Sequence, residues 1–209
     1  MTWNKKSLKN AKLYLILDAQ VLDYKQLLAV LKDSVRFGVD VVQLRDKFGN
    51  AKDILSFCQQ ALRITKHKIP FIVNDRLDLA VLAKADGVHV GQEDVACRDA
   101  RRFLGPKFLI GVSCQTLVQA QQAQRQGADY IGFGSVFKTL TKPERNPMDL
   151  NMLRSVLAKT KIPVFPIGGI SRSNISNLKS IGVSRAAVCR DILLSSNRKE
   201  VIKEFLRVL

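Results

Sequence analysis

Short β-branched runs alternate with longer segments of helical period along the whole chain, and this alternation restricts the fold more than any other feature. A strand followed by a crossover helix returns to a parallel neighbour, so the pattern is that of βαβ units. The runs fall at 12–17, 41–44, 70–73, 87–90, 109–112, 130–132, 164–167 and 186–189, eight in all. Between them Leu27, Leu28, Leu31 and Val35 share one helical face, and Leu117, Ala120 and Ala123 share another. A short pattern also recurs ahead of alternate strands: Gly38-Val39-Asp40, Lys84-Ala85-Asp86, Gly127-Ala128-Asp129 and Gly182-Val183-Ser184. Its interval of roughly 40–55 residues holds two βα units, so four such pairs of units supply eight strands.

Eight parallel strands predict an α/β fold, a (β/α)₈ TIM barrel slightly shorter than the usual ~250 residues. An open doubly wound sheet is the other arrangement, but it usually carries a Gly-rich first turn, and none follows Leu17. No low-complexity linker divides the 209 residues, so the chain is expected to form one domain, 1–209, in which 1–11 is a short N-terminal extension. The length suffices for a sizeable core.

Composition narrows the setting. The apolar run 13–17 ends at Asp18, and nothing approaches the ~20 apolar residues of a membrane helix, which predicts a soluble, cytoplasmic protein without a membrane partner. Cys58, Cys97, Cys114 and Cys189 are widely separated and form no CxxC pair, so reduced thiols are expected rather than a zinc site or a disulfide framework. The formal charge of +16 admits nucleic acid or anionic substrates as partners. Its lysines and arginines are scattered through helical segments without an interleaved aromatic stripe, which predicts a solvated basic surface and no specific nucleic-acid binding.

In such a barrel the chemistry sits at the C-terminal strand ends. After the second strand, Gln43, Arg45 and Lys47 alternate onto one side, either as two cations and an amide at the barrel mouth or as a solvated strand end. After the third and fourth come Asp75, beside Asn74 and Arg76, and Asp94, behind Gln92 and Glu93. Two carboxylates plus substrate phosphate oxygens suit magnesium, although Asp at either place could instead cap a helix. Ser113 follows the fifth strand. Lys138, Thr139, Thr141 and Lys142 follow the sixth as anion-binding donors, and Gly168-Gly169 follows the seventh directly before Ser171 and a helix. Cys189-Arg190-Asp191 ends the eighth. Spacing alone thus gives one metal-assisted anion pocket near strands two to six and one phosphate pocket near strands seven and eight, hence two phosphorylated substrates. His89 is either a base or, more in keeping with its alternation with Val88 and Val90, a barrel-interior histidine with a satisfied partner. His67 reads as surface. No arrangement for a covalent nucleophile is evident.

The segments 42–47, 74–76, 87–94, 111–113, 139–142 and 167–170, taken together and in order, resemble the thiamine-phosphate synthase family from about the first strand to the last. The resemblance implies a transferase that joins an aminopyrimidine diphosphate to a thiazole phosphate and releases pyrophosphate through a carbocation-like path. It implies that Gln43, Leu44, Arg45, Asp46, Lys47, Asn74, Ser113 and Lys142 hold the pyrimidine diphosphate, with Arg45, Ser113 and Lys142 in the catalytic role. It implies one Mg²⁺ per active site on Asp75 and Asp94. Thr139, Leu140, Thr141, Gly169, Cys189 and Arg190 would hold the thiazole phosphate, and the segment 139–147 would cover the bound substrates. A homo-oligomer is compatible with the resemblance.

Four positions depart from the family pattern: Lys138 and Leu140 stand where prolines are common, Lys84 where glycine is usual, and Arg190 where a serine is expected. Two other readings remain in view. A related thiazole tautomerase shares the fold but lacks parts of the diphosphate and metal set, all of which is present here. A noncatalytic phosphate-ligand or nucleic-acid binding protein would have no use for that set.

Overall fold

All eight expected strands form, each within one or two residues of its predicted bounds. In the computed structural model, which describes residues 8–140 and 146–209, they are β1 (Leu13–Asp18), β2 (Val41–Arg45), β3 (Phe71–Asn74), β4 (Gly87–Val90), β5 (Leu109–Cys114), β6 (Tyr130–Phe133), β7 (Val164–Pro166) and β8 (Ala186–Val188). They make one parallel sheet in the order β7-β6-β5-β4-β3-β2-β1-β8, and the two end strands lie side by side, so the sheet nearly closes into a barrel. Around it run α1 (Tyr24–Phe37), α2 (Ala51–Thr65), α3 (Leu77–Ala83), α4 (Cys97–Leu104), α5 (Leu117–Arg125), α6 (Leu150–Lys159), α7 (Ile175–Lys179), α8 (Arg190–Leu193) and α9 (Arg198–Val208). None of these is long and apolar enough to cross a membrane.

Period-two alternation along each strand separates two cores. Leu13, Leu15 and Leu17 of β1 face outward and pack with Leu27, Leu31 and Phe57 under the helices, whereas Tyr14 and Ile16 face inward with Val41, Ile72, Leu109, Tyr130, Phe165 and Ala187. The N-terminal extension contributes to the inner core: Leu8 and Ala11 are buried in it, and Arg185 donates to the carbonyls of Leu8 and Lys9. The helices start on local signals. Asp23 with Gln26 and Thr116 with Gln119 form reciprocal capping boxes at α1 and α5, each contributing about 1 kcal/mol.

The recurring tripeptide now has a physical account. Its first residue ends a helix in the left-handed conformation, with φ of 99° at Gly38, 58° at Lys84, 91° at Gly127 and 91° at Gly182. Its middle residue is buried, and its aspartate reaches back to the start of the preceding strand. Asp40 Oδ2 accepts from Lys12 N and Leu13 N, Asp86 Oδ2 from Phe71 N, and Asp129 Oδ2 from Ile110 N, all at 2.8–2.9 Å. The carboxylate thus holds three of the four strand pairs in register at the bottom of the barrel; the fourth tripeptide ends in Ser184 instead. His67 is more than a surface residue, because its Nδ1 lies 2.7 Å from Asp86 Oδ1.

Lys84 takes up a conformation that costs an L-residue about 1–2 kcal/mol, whereas glycine costs the unfolded chain roughly 0.4–1 kcal/mol in extra entropy. The first term exceeds the second. Lys84→Gly is therefore expected to raise stability by roughly 0.5–1 kcal/mol, visible as a higher urea midpoint at unchanged slope. A lower midpoint would show that the lysine stem stabilises α3 by packing.

Candidate active site

The C-terminal ends of the strands open into a cavity of about 510 Å³ whose floor is the inner core and whose walls are the loops after β5 to β8. Of the residues expected at the site, Gln43, Arg45, Asn74, Ser113, Thr139, Leu140, Gly169, Cys189 and Arg190 line it. Thr141 and Lys142 lie outside the described residues. Leu44 and Asp46 do not face the cavity: alternation sends Leu44 into the outer core, 1% exposed, and Asp46 closes the following turn. Its carboxylate accepts from Tyr24 OH at 2.5 Å, Phe48 N at 3.0 Å and Gly49 N at 2.7 Å. Burial alone would raise its pKa, but those hydrogen bonds outweigh burial and hold it below the usual carboxylate range. The resemblance supplied these two residues, and their side chains serve packing and the turn.

Arg45 is held from behind. Its Nη1 donates to Asp18 Oδ2 at 2.9 Å and to Gln20 Oε1 at 2.6 Å, and Asp18, fully buried at the end of β1, also accepts from Gln20 N at 3.0 Å. Asp18 and Gln20 were missed in the sequence, yet a signal was there: Asp18 is a polar residue at a strand end, the same criterion that picked out Asp75.

Lys47 forms an ion pair with Asp75, and Asp75 in turn lies against Asp94. Burial raises the pKa of Asp75, Lys47 opposes that rise, and the neighbouring Asp94 adds to it. Neither aspartate caps a helix. Arg76 occupies the cap position of α3 and Ala96 that of α4, without side-chain cap bonds, so the capping alternative for these aspartates is removed. Asp94 Oδ2 accepts from Gly91 N at 2.6 Å, which turns the post-β4 loop back toward Asp75.

On the other side of the cavity the post-β7 loop packs directly on the post-β6 loop. A Cβ at Gly168 would overlap Ser135, and one at Gly169 would overlap Lys138 O; both glycines have positive φ, 102° and 63°. The helix expected directly after Ser171 begins later, at Ile175, because Ser171 N donates to Asn174 Oδ1 and Arg172 N to Asp191 Oδ2. Arg172 is ion-paired with Asp191 and Glu204. Arg190 lines the cavity half-buried, and its guanidinium makes no hydrogen bond or ion pair with any described residue. Cys189 sits beneath it, its thiol pushed up to about 12 by burial, with Asp18 adding to the rise. His89 is inside the barrel, as its alternation indicated, bonded to Tyr130 and Ser113. The site therefore combines paired carboxylates backed by Lys47, a pinned guanidinium, a polar floor, and an opposite wall with one unpaired arginine.

Comparison with known proteins gives a consistent picture. Residues 13–192 match a family model described as thiamine monophosphate synthase. A thiamine-phosphate synthase of Fusobacterium nucleatum is 37% identical over 204 residues, covering 96% of this chain and 98% of that protein. Another, from Clostridioides difficile, is 37% identical over 208 residues, covering 98% and 99%. Among solved structures, a thiamine phosphate pyrophosphorylase from Pyrococcus furiosus superimposes with a TM-score of 0.85 at 29% identity, covering 98% of this chain and 96% of that one.

Proposed function

The chain belongs to the thiamine monophosphate synthase family, and from that premise we propose that its cavity joins an aminopyrimidine diphosphate to a thiazole phosphate in a dissociative order. The C–O bond between the pyrimidine methylene and the diphosphate breaks first, and the electron pair leaves with pyrophosphate. The thiazole nitrogen then donates its lone pair to the methylene carbon and the C–N bond forms. The observation that carries this reading is the segregation of charge groups at the mouth: Arg45, Lys47 and the Asp75–Asp94 pair stand on the β2–β4 side, Arg190 on the β8 side.

Two adjacent carboxylates, one raised in pKa, are hard oxygen donors, and this chemistry fits a divalent ion completed by diphosphate oxygens. Magnesium held by Asp75 and Asp94 would neutralise charge on the diphosphate as it becomes pyrophosphate. Arg45, kept in place by Asp18 and Gln20, faces the same developing charge without having to reorganise. For Lys142 the same role follows from the family pattern. Gln43 and Asn74 hold the pyrimidine end, and Ser113 donates to the diphosphate.

On the opposite wall Arg190 replaces the serine of the family pattern. An unpaired, half-buried guanidinium in a cavity is a donor lacking an acceptor, and a phosphate dianion is the strongest acceptor the reaction supplies. A charge-assisted contact of roughly 1.5–3 kcal/mol corresponds to about tenfold or more in affinity. Arg190→Ser is accordingly expected to raise KM for the thiazole phosphate at least about tenfold and to leave that for the pyrimidine diphosphate unchanged. A fall in KM would mean that the arginine obstructs the pocket, and no change would leave the backbone of Gly169 and its neighbours as the phosphate ligand.

A further inference from the structure

The barrel floor carries a line of polar side chains whose middle three members, Tyr14, Tyr130 and His89, have no part in the leaving-group chemistry. Gln43 Nε2 donates to Tyr14 OH at 2.9 Å, and the hydroxyls of Tyr14 and Tyr130 lie 2.8 Å apart. Tyr130 OH meets His89 Nδ1 at 3.2 Å, and His89 Nε2 meets Ser113 Oγ at 2.9 Å. Five strands contribute one residue each. Space for the line is made by interior glycines: a Cβ at Gly111 would overlap the Tyr130 ring and hydroxyl and crowd His89 Nδ1, and one at Gly132 would stand 3.3 Å from His89 Cε1. Both tyrosines are buried, and burial pushes their phenols up, so each stays neutral with a single proton to donate.

A single proton per hydroxyl makes the line directional. In the sense that starts with Gln43 donating to the Tyr14 oxygen and keeps every member both donor and acceptor, the Tyr14 proton goes to Tyr130 and the Tyr130 proton to His89 Nδ1. His89 must then carry its own proton on Nε2 and donate it to Ser113 Oγ. The Ser113 proton is thereby turned to the cavity it lines, and Gln43 Oε1 is left as an acceptor at the other end.

We infer that Tyr14, Tyr130 and His89 are positioning residues that fix the donor–acceptor sense of the floor. They present an acceptor at Gln43 to the exocyclic amino group of the pyrimidine and a donor at Ser113 to a diphosphate oxygen. The inference rests on the substrate assignment made above and adds to it the reason an amino group is selected. Run in the opposite sense, with Ser113 donating to His89 and the Gln43 amide reversed, the same atoms would face an anion with lone pairs and an amino group with N–H. Both ends would then be mismatched, and a site with such unpaired groups loses orders of magnitude in discrimination.

Nitrogen-15 NMR of protein labelled in its histidine rings tests the sense directly, because the chain holds only two histidines and His67→Gln assigns the second. The expected result for the substrate-free protein is neutral His89 with its proton on Nε2; any other form overturns the inference. This reading needs no turnover, so it can fail while the substrate assignment stands. In Tyr130→Phe, with the fold checked by circular dichroism, the His89 Nδ1 resonance should shift. The KM for the pyrimidine diphosphate should rise about tenfold while that for the thiazole phosphate holds. Equal changes in both KM values, or a change in neither, would reduce the tyrosine to packing and overturn its positioning role.

Discussion

Replacing Asp75 by Asn is expected to cut turnover by about a hundredfold or more while leaving the metal-free protein as stable as before or more so. Two separate physical terms lead there. Losing one of two carboxylates removes half of the protein's charge toward the divalent ion, and turnover falls with it. For stability the sign is reversed, since burial and then the neighbouring Asp94 raise the pKa of Asp75 against the pull of Lys47. The folded protein therefore binds that proton more tightly than the unfolded chain does. Stability is lost as pH rises from the ordinary carboxylate value through the raised one, and Asn removes that loss. Asn is also the better residue at the positive φ of 59° found at this position. Asp94→Asn should lose turnover to a similar degree, because its amide oxygen can still accept from Gly91 N but brings no charge. Steady-state rates with and without chelator, beside thermal melts of the metal-free proteins, check both terms. Unchanged turnover in both variants would remove the metal assignment, and a lower melting temperature for Asp75→Asn would mean that its pair with Lys47 outweighs burial.

The second large effect is expected at Arg45→Met, which should lower both turnover and stability. Asp18 is fully buried and Arg45 nearly so, with 13% of its side chain exposed. Removing one partner of such a pair leaves an uncompensated carboxylate in the barrel, at a cost of about 3–5 kcal/mol, whereas removing both charges is far milder. The double variant Asp18→Asn with Arg45→Met should thus recover most of the lost stability. Turnover should stay about a hundredfold or more below the parent, because the guanidinium proposed to face the leaving group is absent from both variants. Urea midpoints and rates of the two single variants and the double variant form the cycle. Recovery of turnover together with stability in the double variant would show that Arg45 supports the fold only.

The barrel was legible because every level of the sequence agrees on it: eight apolar runs, helical faces between them, and a tripeptide repeat whose aspartates turned out to tie strand pairs together. The strand-end rule also picked out Gln43, Arg45 and Ser113, which line the cavity, since period-two alternation decides which side chains reach the mouth. It turns the side chains of Leu44 and Asp46 away from the mouth for the same reason, so alternation and the family pattern differ at these two positions. In the sequence Asp18 reads as the end of an apolar run, because a carboxylate can be buried only if a partner compensates it, and that partner is 27 residues away. The floor was invisible for a related reason. Tyr14 and Tyr130 look like ordinary strand aromatics until barrel closure brings their hydroxyls together across 116 residues. The residues that line the cavity were predictable from local chemistry, whereas the groups that orient them come from pairings that only the closed sheet creates.

The most direct measurement of the central claim is the product balance of the purified chain given both phosphorylated substrates and magnesium. Thiamine phosphate and pyrophosphate should appear in equal amounts, and neither should form when either substrate is withheld or a chelator is added. A folded protein that consumed the thiazole phosphate alone, or that released pyrophosphate at the same rate with magnesium removed, would contradict the account.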